Sequence, residues 1–174
     1  MANHFYKLAL GGIFAIIVIG AYMAFVGYST DVYPLDMSVG LLDRTMASAD
    51  PQSILADLKA IKGHLPTSGN PVWIFPTDTT NFVRIQTDLN VMIASAEKIA
   101  AVPTDSAAYH TGITDIRDRA NVLQENLADA IPYMYVSFSN IIFSSIWIAA
   151  LLAIFAVLNK KKQQMKEYDF SKDV

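Results

Sequence analysis

Histidine side chains are the residues of this chain that would most readily bind a metal. There are three of them, His4, His64 and His110. None has a second histidine or a carboxylate at the spacing of a metal-binding motif such as H-E-x-x-H. His64 falls at a predicted helix end, where a basic group suits the helix dipole. We therefore predict no metal site in this chain.

Charged side chains that could exchange protons cluster after His110. The cluster contains three carboxylates and two guanidinium groups, at Asp115, Asp118, Glu125, Arg117 and Arg119. Charges three or four residues apart on a helix usually form local ion pairs on a solvated face. General acid–base catalysis would also need a pocket, which the sequence does not suggest. We interpret the cluster as a solvated helix face.

Motifs for nucleophilic or phosphate chemistry are absent from the sequence. No serine stands in a G-x-S-x-G setting, and there is no P-loop or G-x-G-x-x-G. The lack of cysteine excludes disulfides, zinc–thiolate sites, iron–sulfur clusters and thiol nucleophiles. A net charge of −3 without a basic stripe argues against nucleic acid. We expect a chain that is not an enzyme, with no catalytic residue, cofactor or small-molecule substrate of its own.

Hydrophobic residues make up 53% of the 174 residues and concentrate near the two ends. Neither Leu8–Thr30 nor Ala130–Asn159 contains a charge, and each exceeds the roughly 20 residues that a membrane-spanning helix needs. The first run could instead be a cleaved signal peptide, but it is longer than the apolar region of such peptides. We predict a cytoplasmic N-terminus at residues 1–7 and a first span at 8–28. An outer domain at 29–136, a second span at 137–158 and a lysine-rich cytoplasmic tail at 159–174 follow.

Loop charge predicts how the two spans are oriented. Lys160, Lys161 and Lys162 follow the second span directly, whereas the segment between the spans has seven basic and thirteen acidic residues. Basic residues near spans favour the cytoplasmic side. We therefore expect a two-pass protein of the cell membrane with both termini cytoplasmic and the middle segment extracytoplasmic.

The middle segment has the apolar periodicity of amphipathic helices. Four stripes repeat at intervals of three and four residues, namely Leu35, Val39, Leu42, Met46; Ile54, Leu58, Ile61, Leu65; Phe82, Ile85, Leu89, Met92, Ala96, Ile99; and Tyr109, Ile113, Ile116, Ala120, Leu123, Leu127. Candidate N-caps are Asp50 before Pro51, Thr77 or Asp78, and Thr104 or Asp105. Pro132 is expected to bend or break the last helix at the membrane surface. The predicted fold is all-α, with two transmembrane helices bracketing an extracytoplasmic helical bundle.

Two sets of residues are candidates for contact with partners. The connection LPTSGNPVWIFP carries Trp73 and Phe75, which either plug the bundle end or contact a partner or the membrane interface. Within the spans, small residues recur at helical spacing, at Gly20 and Ala24 and at Ser145, Ala149 and Ala153. Such lines allow close helix packing in lipid, either between the two spans of this chain or with partner subunits.

Two functions fit these features. A non-catalytic structural or accessory subunit of a larger membrane complex would explain the lack of chemistry and the small-residue lines. The alternative is an extracytoplasmic sensor that signals through a separate partner, because two spans around an outer helical bundle are typical of input modules. Only about 15 residues follow Leu158, which is too few for an output domain and favours the first function.

The chain also resembles a known family. The features are the first span LALGGIFAIIVIGAYMAFVG, the cysteine-free helical middle with NPVWIFPTDTTNF, and the lysine-ended second span. In these it is similar to the small accessory membrane subunits of archaeal ammonia monooxygenase. The resemblance implies a trimeric, copper-dependent membrane enzyme whose metal ligands lie in other subunits. It brings no site residue to this chain.

Overall fold

The computed structural model describes the backbone of Ala2–Phe170 and the side chains of residues 9–164. Met1 and residues 171–174, at the two predicted cytoplasmic ends, lie outside the described residues, as do the side chains of His4 and Lys7. Over the described range all regular secondary structure is helical and there is no strand, which confirms the predicted all-α class. The elements are α1 (Ala2–Gly27), π1 (Tyr28–Val32), α2 (Tyr33–Ala47), α3 (Pro51–His64), α4 (Phe82–Ile99), α5 (Ala107–Tyr135) and α6 (Phe138–Phe170).

These elements form two compact units. The span unit contains α1 as far as Val26 and α6 from Phe138, and the bundle unit is Gly27–Ser137. Both helices of the span unit are long and apolar enough to cross a membrane. No residue is buried in the most apolar stretch of either helix, whereas the bundle unit has a continuous apolar core.

The core of the bundle unit forms where apolar stripes of α2, α3, α4 and α5 meet. Every residue of the stripes predicted for α4 and α5 is buried, and so are Ile54, Leu58, Ile61 and Leu65 at α3. A helix with one apolar face gains stability only when that face is covered by another element. The sequence pattern of these three helices therefore corresponds directly to the core.

Helix α2 departs from its predicted stripe. Leu35 and Leu42 are buried as expected, but Ser38 and Thr45 are fully buried beside them, while Val39 and Met46 are only partly buried. The reason is that α2 packs against both α3 and α5, which covers more of its circumference than one apolar stripe. The Ser38 hydroxyl satisfies its hydrogen bond by donating to the carbonyl of Pro34 at 2.7 Å.

The N-caps were predicted correctly for α3 only. The Asp50 carboxylate accepts hydrogen bonds from the backbone N–H groups of Gln52 and Ser53. Helix α4 is capped by Asn81 and α5 by Ser106, so Thr77, Asp78, Thr104 and Asp105 were the wrong choices. Thr77 instead takes part in hydrogen bonds within the preceding loop, where its carbonyl accepts from Asn70 at 2.7 Å.

A π-helical turn joins α1 to α2. The Tyr33 N–H donates to the carbonyl of Tyr28 five residues earlier. Pro34 explains this wider turn, because proline has no N–H and its ring clashes with the carbonyl four residues before it. Backbone angles stay helical at both Gly27 and Tyr33, so the chain is helical throughout the junction.

Pro132 does not break α5. The helix continues past it to Tyr135 and ends at Val136, which has φ −103° and ψ 32°. The interruption before α6 is thus the short segment at Val136 and Ser137. Of the bend or break expected at Pro132, the break is wrong: proline removes one backbone N–H donor, and α5 nevertheless continues to Tyr135.

Candidate interaction surfaces

The histidines with described side chains stand apart from other metal ligands. His64 ends α3 and His110 lies in the first turn of α5, and both are exposed. The His110 ring meets Tyr109 edge-on, with 5.7 Å between ring centroids. Among the side chains described, no three His, Asp or Glu residues come together in a way that could hold a metal ion.

The charged residues of α5 make short-range and structural contacts. Arg119 donates to Asp115 at 2.9 Å, with both side chains about half exposed. Arg117 points to the neighbouring helix end instead and donates to the carbonyl of Ser48 at 2.8 Å. The pair of Arg119 and Asp115 fits the predicted solvated face with local ion pairing, whereas Arg117 departs from it, because it is partly buried and contacts the end of α2.

An ion pair between α2 and α3 was missed by sequence reasoning. Arg44 donates through Nε to Asp57 at 2.8 Å and also through Nη2 to the second carboxylate oxygen. The hydrogen bond to Asp57 raises the pKa of Arg44. Asp57 is buried, and it lies three residues after Ile54, at the edge of the apolar stripe. A carboxylate at the edge of an apolar stripe was the sequence signal for a buried ion pair. The pair links α2 to α3.

The loop between α3 and α4 presents its large apolar side chains to the outside. Trp73, Ile74 and Phe75 are 46%, 55% and 81% exposed, while Val72 is buried. The exposure of Phe75 in particular disfavours the interpretation of these two residues as a plug of the bundle end, whereas their contact with a partner or the membrane interface stays a prediction. The indole N–H of Trp73 donates to the carbonyl of Val136 at 3.1 Å.

Within the span unit, α1 meets α6 at Gly20 and Trp147. The Trp147 indole N–H donates to the carbonyl of Ile16 at 3.0 Å. A Cβ atom at Gly20 would lie only 2.6 Å from Nε1 of Trp147, so the absence of a side chain there permits the contact. Gly20 therefore packs against a helix of its own chain. Sequence reasoning missed Trp147, although a large side chain opposite a glycine is a recognisable pairing.

The other small residues of the spans are left uncovered. Ala24, Ser145, Ala149 and Ala153 are all exposed. Because a helix turns about 100° per residue, Ala149 lies roughly 200° from Trp147 and so faces away from the contact with α1. The Ser145 hydroxyl donates to the carbonyl of Ile141 at 2.8 Å, so its hydrogen bond is made within α6. The line Ser145, Ala149 and Ala153 is therefore not the seam between the two spans.

No protein-family model matches the chain, and neither does any curated protein or solved structure.

Proposed function

We propose that this chain is a non-catalytic accessory subunit of a larger membrane complex. In this proposal both termini are cytoplasmic and the bundle unit is extracytoplasmic, as the loop charges favour. The complex would hold the chain through its spans, and the partners would be other membrane subunits and the lipid bilayer. Archaeal ammonia monooxygenase is one candidate for the complex, in which case the copper belongs to partner subunits.

The observation that carries the proposal is the exposed small-residue face of α6. Ser145, Ala149 and Ala153 recur at every fourth residue and are exposed, and they lie about 120–160° around the helix from Trp147. In lipid, apolar side chains gain nothing by leaving the hydrocarbon, so helices associate through close van der Waals packing of small residues. A face of this kind that the chain's own first span leaves free is suited to a helix of another subunit.

A test compares two neighbouring alanines of α6. Ala149→Leu places a bulky side chain on the small-residue face and should prevent close approach of a partner helix. Ala150→Leu makes the same change one residue later, about 100° around the helix, at another exposed position. After mild-detergent extraction, native gels should show that Ala149→Leu is lost from the assembly and Ala150→Leu is retained.

The same experiment can contradict the proposal. Retention of Ala149→Leu in an assembly of unchanged size would show that this face binds no partner helix. Equal loss of both variants would show that the effect is a general disturbance of α6 and not contact at a particular face.

One observation favours the alternative of a sensor that signals through a separate partner. Helical backbone geometry runs through π1 from Gly27 to Tyr33, and π turns inside helices are often found at functional sites. A movement at α2 could then pass along the helix into α1. A sensor requires a response, so cross-linking of partner subunits that changes with an external stimulus would favour this function over the accessory one.

A further inference from the structure

The loop between α3 and α4 carries a tip of adjacent apolar side chains that the described part of the chain leaves about half exposed or more exposed. We name Trp73, Ile74 and Phe75 the aromatic tip. All three side chains are 46% exposed or more, and no residue from Pro66 to Thr77 is charged. Adjacent exposed apolar side chains in an uncharged loop mark a surface that another apolar phase covers.

The loop is built to hold the aromatic tip in place. The Asn70 side chain donates to the carbonyl of Thr77 at 2.7 Å. Its amide oxygen accepts from the N–H of Val72 at 3.0 Å and from the hydroxyl of Thr80 at 2.9 Å. Val72 is buried directly before the tip. These bonds fix both sides of the loop, so the tip is presented outward while its base is anchored in the bundle unit.

The hydrogen bond from Trp73 shows which end of the bundle unit carries the tip. Its acceptor, the carbonyl of Val136, follows the last residue of α5. Phe138, the first residue of the apolar helix α6, comes two residues later, which is at most about 7 Å along the chain. Exposed Tyr135 and Val136 add apolar surface at the same place. The tip therefore lies at the end of the bundle unit from which the chain enters α6.

We propose that the aromatic tip is seated in the headgroup boundary of the bilayer that α6 crosses. Tryptophan favours this boundary because its apolar ring carries one polar N–H. A protein partner could be met anywhere on the surface of the bundle unit, whereas the bond to Val136 places the tip beside the point of membrane entry. The assignment requires that α6 spans the bilayer, and it does not require a partner subunit.

The test measures the tryptophan fluorescence of the full chain in phosphatidylcholine and phosphatidylglycerol nanodiscs. Trp147→Phe leaves Trp73 as the only tryptophan. Lipids brominated near the headgroup end of the acyl chain should quench Trp73 more strongly than lipids brominated at the chain end. The emission should also lie at shorter wavelength than that of an indole in water. Subtracting the emission of Trp73→Phe from that of the natural chain gives the Trp73 emission while Trp147 is retained.

A matched control places the probe elsewhere on the bundle unit. The control variant carries Val122→Trp together with Trp73→Phe and Trp147→Phe. Val122 is exposed on α5 and lies about 20 Å along the helix from its end at Tyr135. This tryptophan should not be quenched by either lipid. Equal quenching at position 122 would overturn the inference, because the signal would not be specific to the tip.

Two further outcomes would also overturn it. Water-like, unquenched emission from Trp73 in nanodiscs would show that the tip does not touch lipid. If the same emission moved to shorter wavelength only in the extracted native complex, the tip would be a docking site for a protein partner. Since the nanodisc measurement uses the chain alone, it is independent of whether the accessory-subunit proposal holds.

Discussion

The close contact between Gly20 and Trp147 predicts that one added methyl group at Gly20 weakens the packing of the two spans. In Gly20→Ala the new Cβ would lie 2.6 Å from Nε1 of Trp147 and 2.7 Å from Cε2. Ordinary contact begins at 3.4 Å, so the indole must move by about 0.8 Å. The indole is rigid, and the movement weakens its hydrogen bond to Ile16, which is 3.0 Å long.

The expected cost follows from two opposing effects. Overfilling a packed contact typically destabilises by about 1–3 kcal/mol. Replacing glycine by alanine inside a helix stabilises by about 1 kcal/mol. The matched control is Gly12→Ala, because a Cβ there meets nothing within 4 Å and only the second effect acts. We therefore expect Gly20→Ala to be about 1–3 kcal/mol less stable than Gly12→Ala.

The assay is SDS titration of the full chain in mild detergent micelles, followed by circular dichroism. A second pair of variants repeats the comparison in a Trp147→Ala background, where the obstacle is gone and the two alanine substitutions should behave alike. Equal unfolding free energies for Gly20→Ala and Gly12→Ala with Trp147 present would show that this contact does not pair the spans.

Three further predictions concern pH, metal and topology. Hydrogen bonds from Ser53 and Gln52 hold the pKa of Asp50 below its ordinary value. The ionised Asp50 carboxylate therefore stabilises the fold fully above that ordinary pKa, and this stabilisation is lost as the pH falls through the lowered pKa. Asp50→Asn, which still caps α3, should show a smaller loss of thermal stability on acidification than the natural chain. The separated chain should contain no stoichiometric copper or zinc by elemental analysis, and one bound equivalent would contradict this, whereas metal in the intact complex alone would not. Protease added outside sealed cells should cut near Ser68, which is exposed, and should spare Lys160–Lys162. Cutting at these lysines from outside would contradict the proposed orientation.

The sequence predicted the helices of the bundle unit well where one face of a helix is buried. The stripe from Phe82 to Ile99 has a regular apolar spacing, and all its members are buried. The pattern was less useful for α2, because Ser38 and Thr45 are buried between two neighbouring helices. Periodicity records which residues are apolar, and it does not record how many elements surround a helix.

The contacts between distant segments were not predicted from the sequence. The bond from Trp73 to Val136 joins residues 63 positions apart, and nothing in the local pattern of either segment predicts the other. In the spans, the sequence predicted small-residue lines as helix contacts, but Trp147 decides which face of α6 meets Gly20. The faces left over for partners could be identified only after that contact was known.

In our proposal, this chain belongs to a larger membrane assembly. The most direct measurement is extraction of the tagged full chain from its native membrane in mild detergent, with the mass and composition of the particle determined by native mass spectrometry. The proposal predicts a particle in which this 19.1 kDa chain is joined at fixed stoichiometry by other membrane proteins. A chain that is recovered alone, or only with copies of itself, would contradict the proposal.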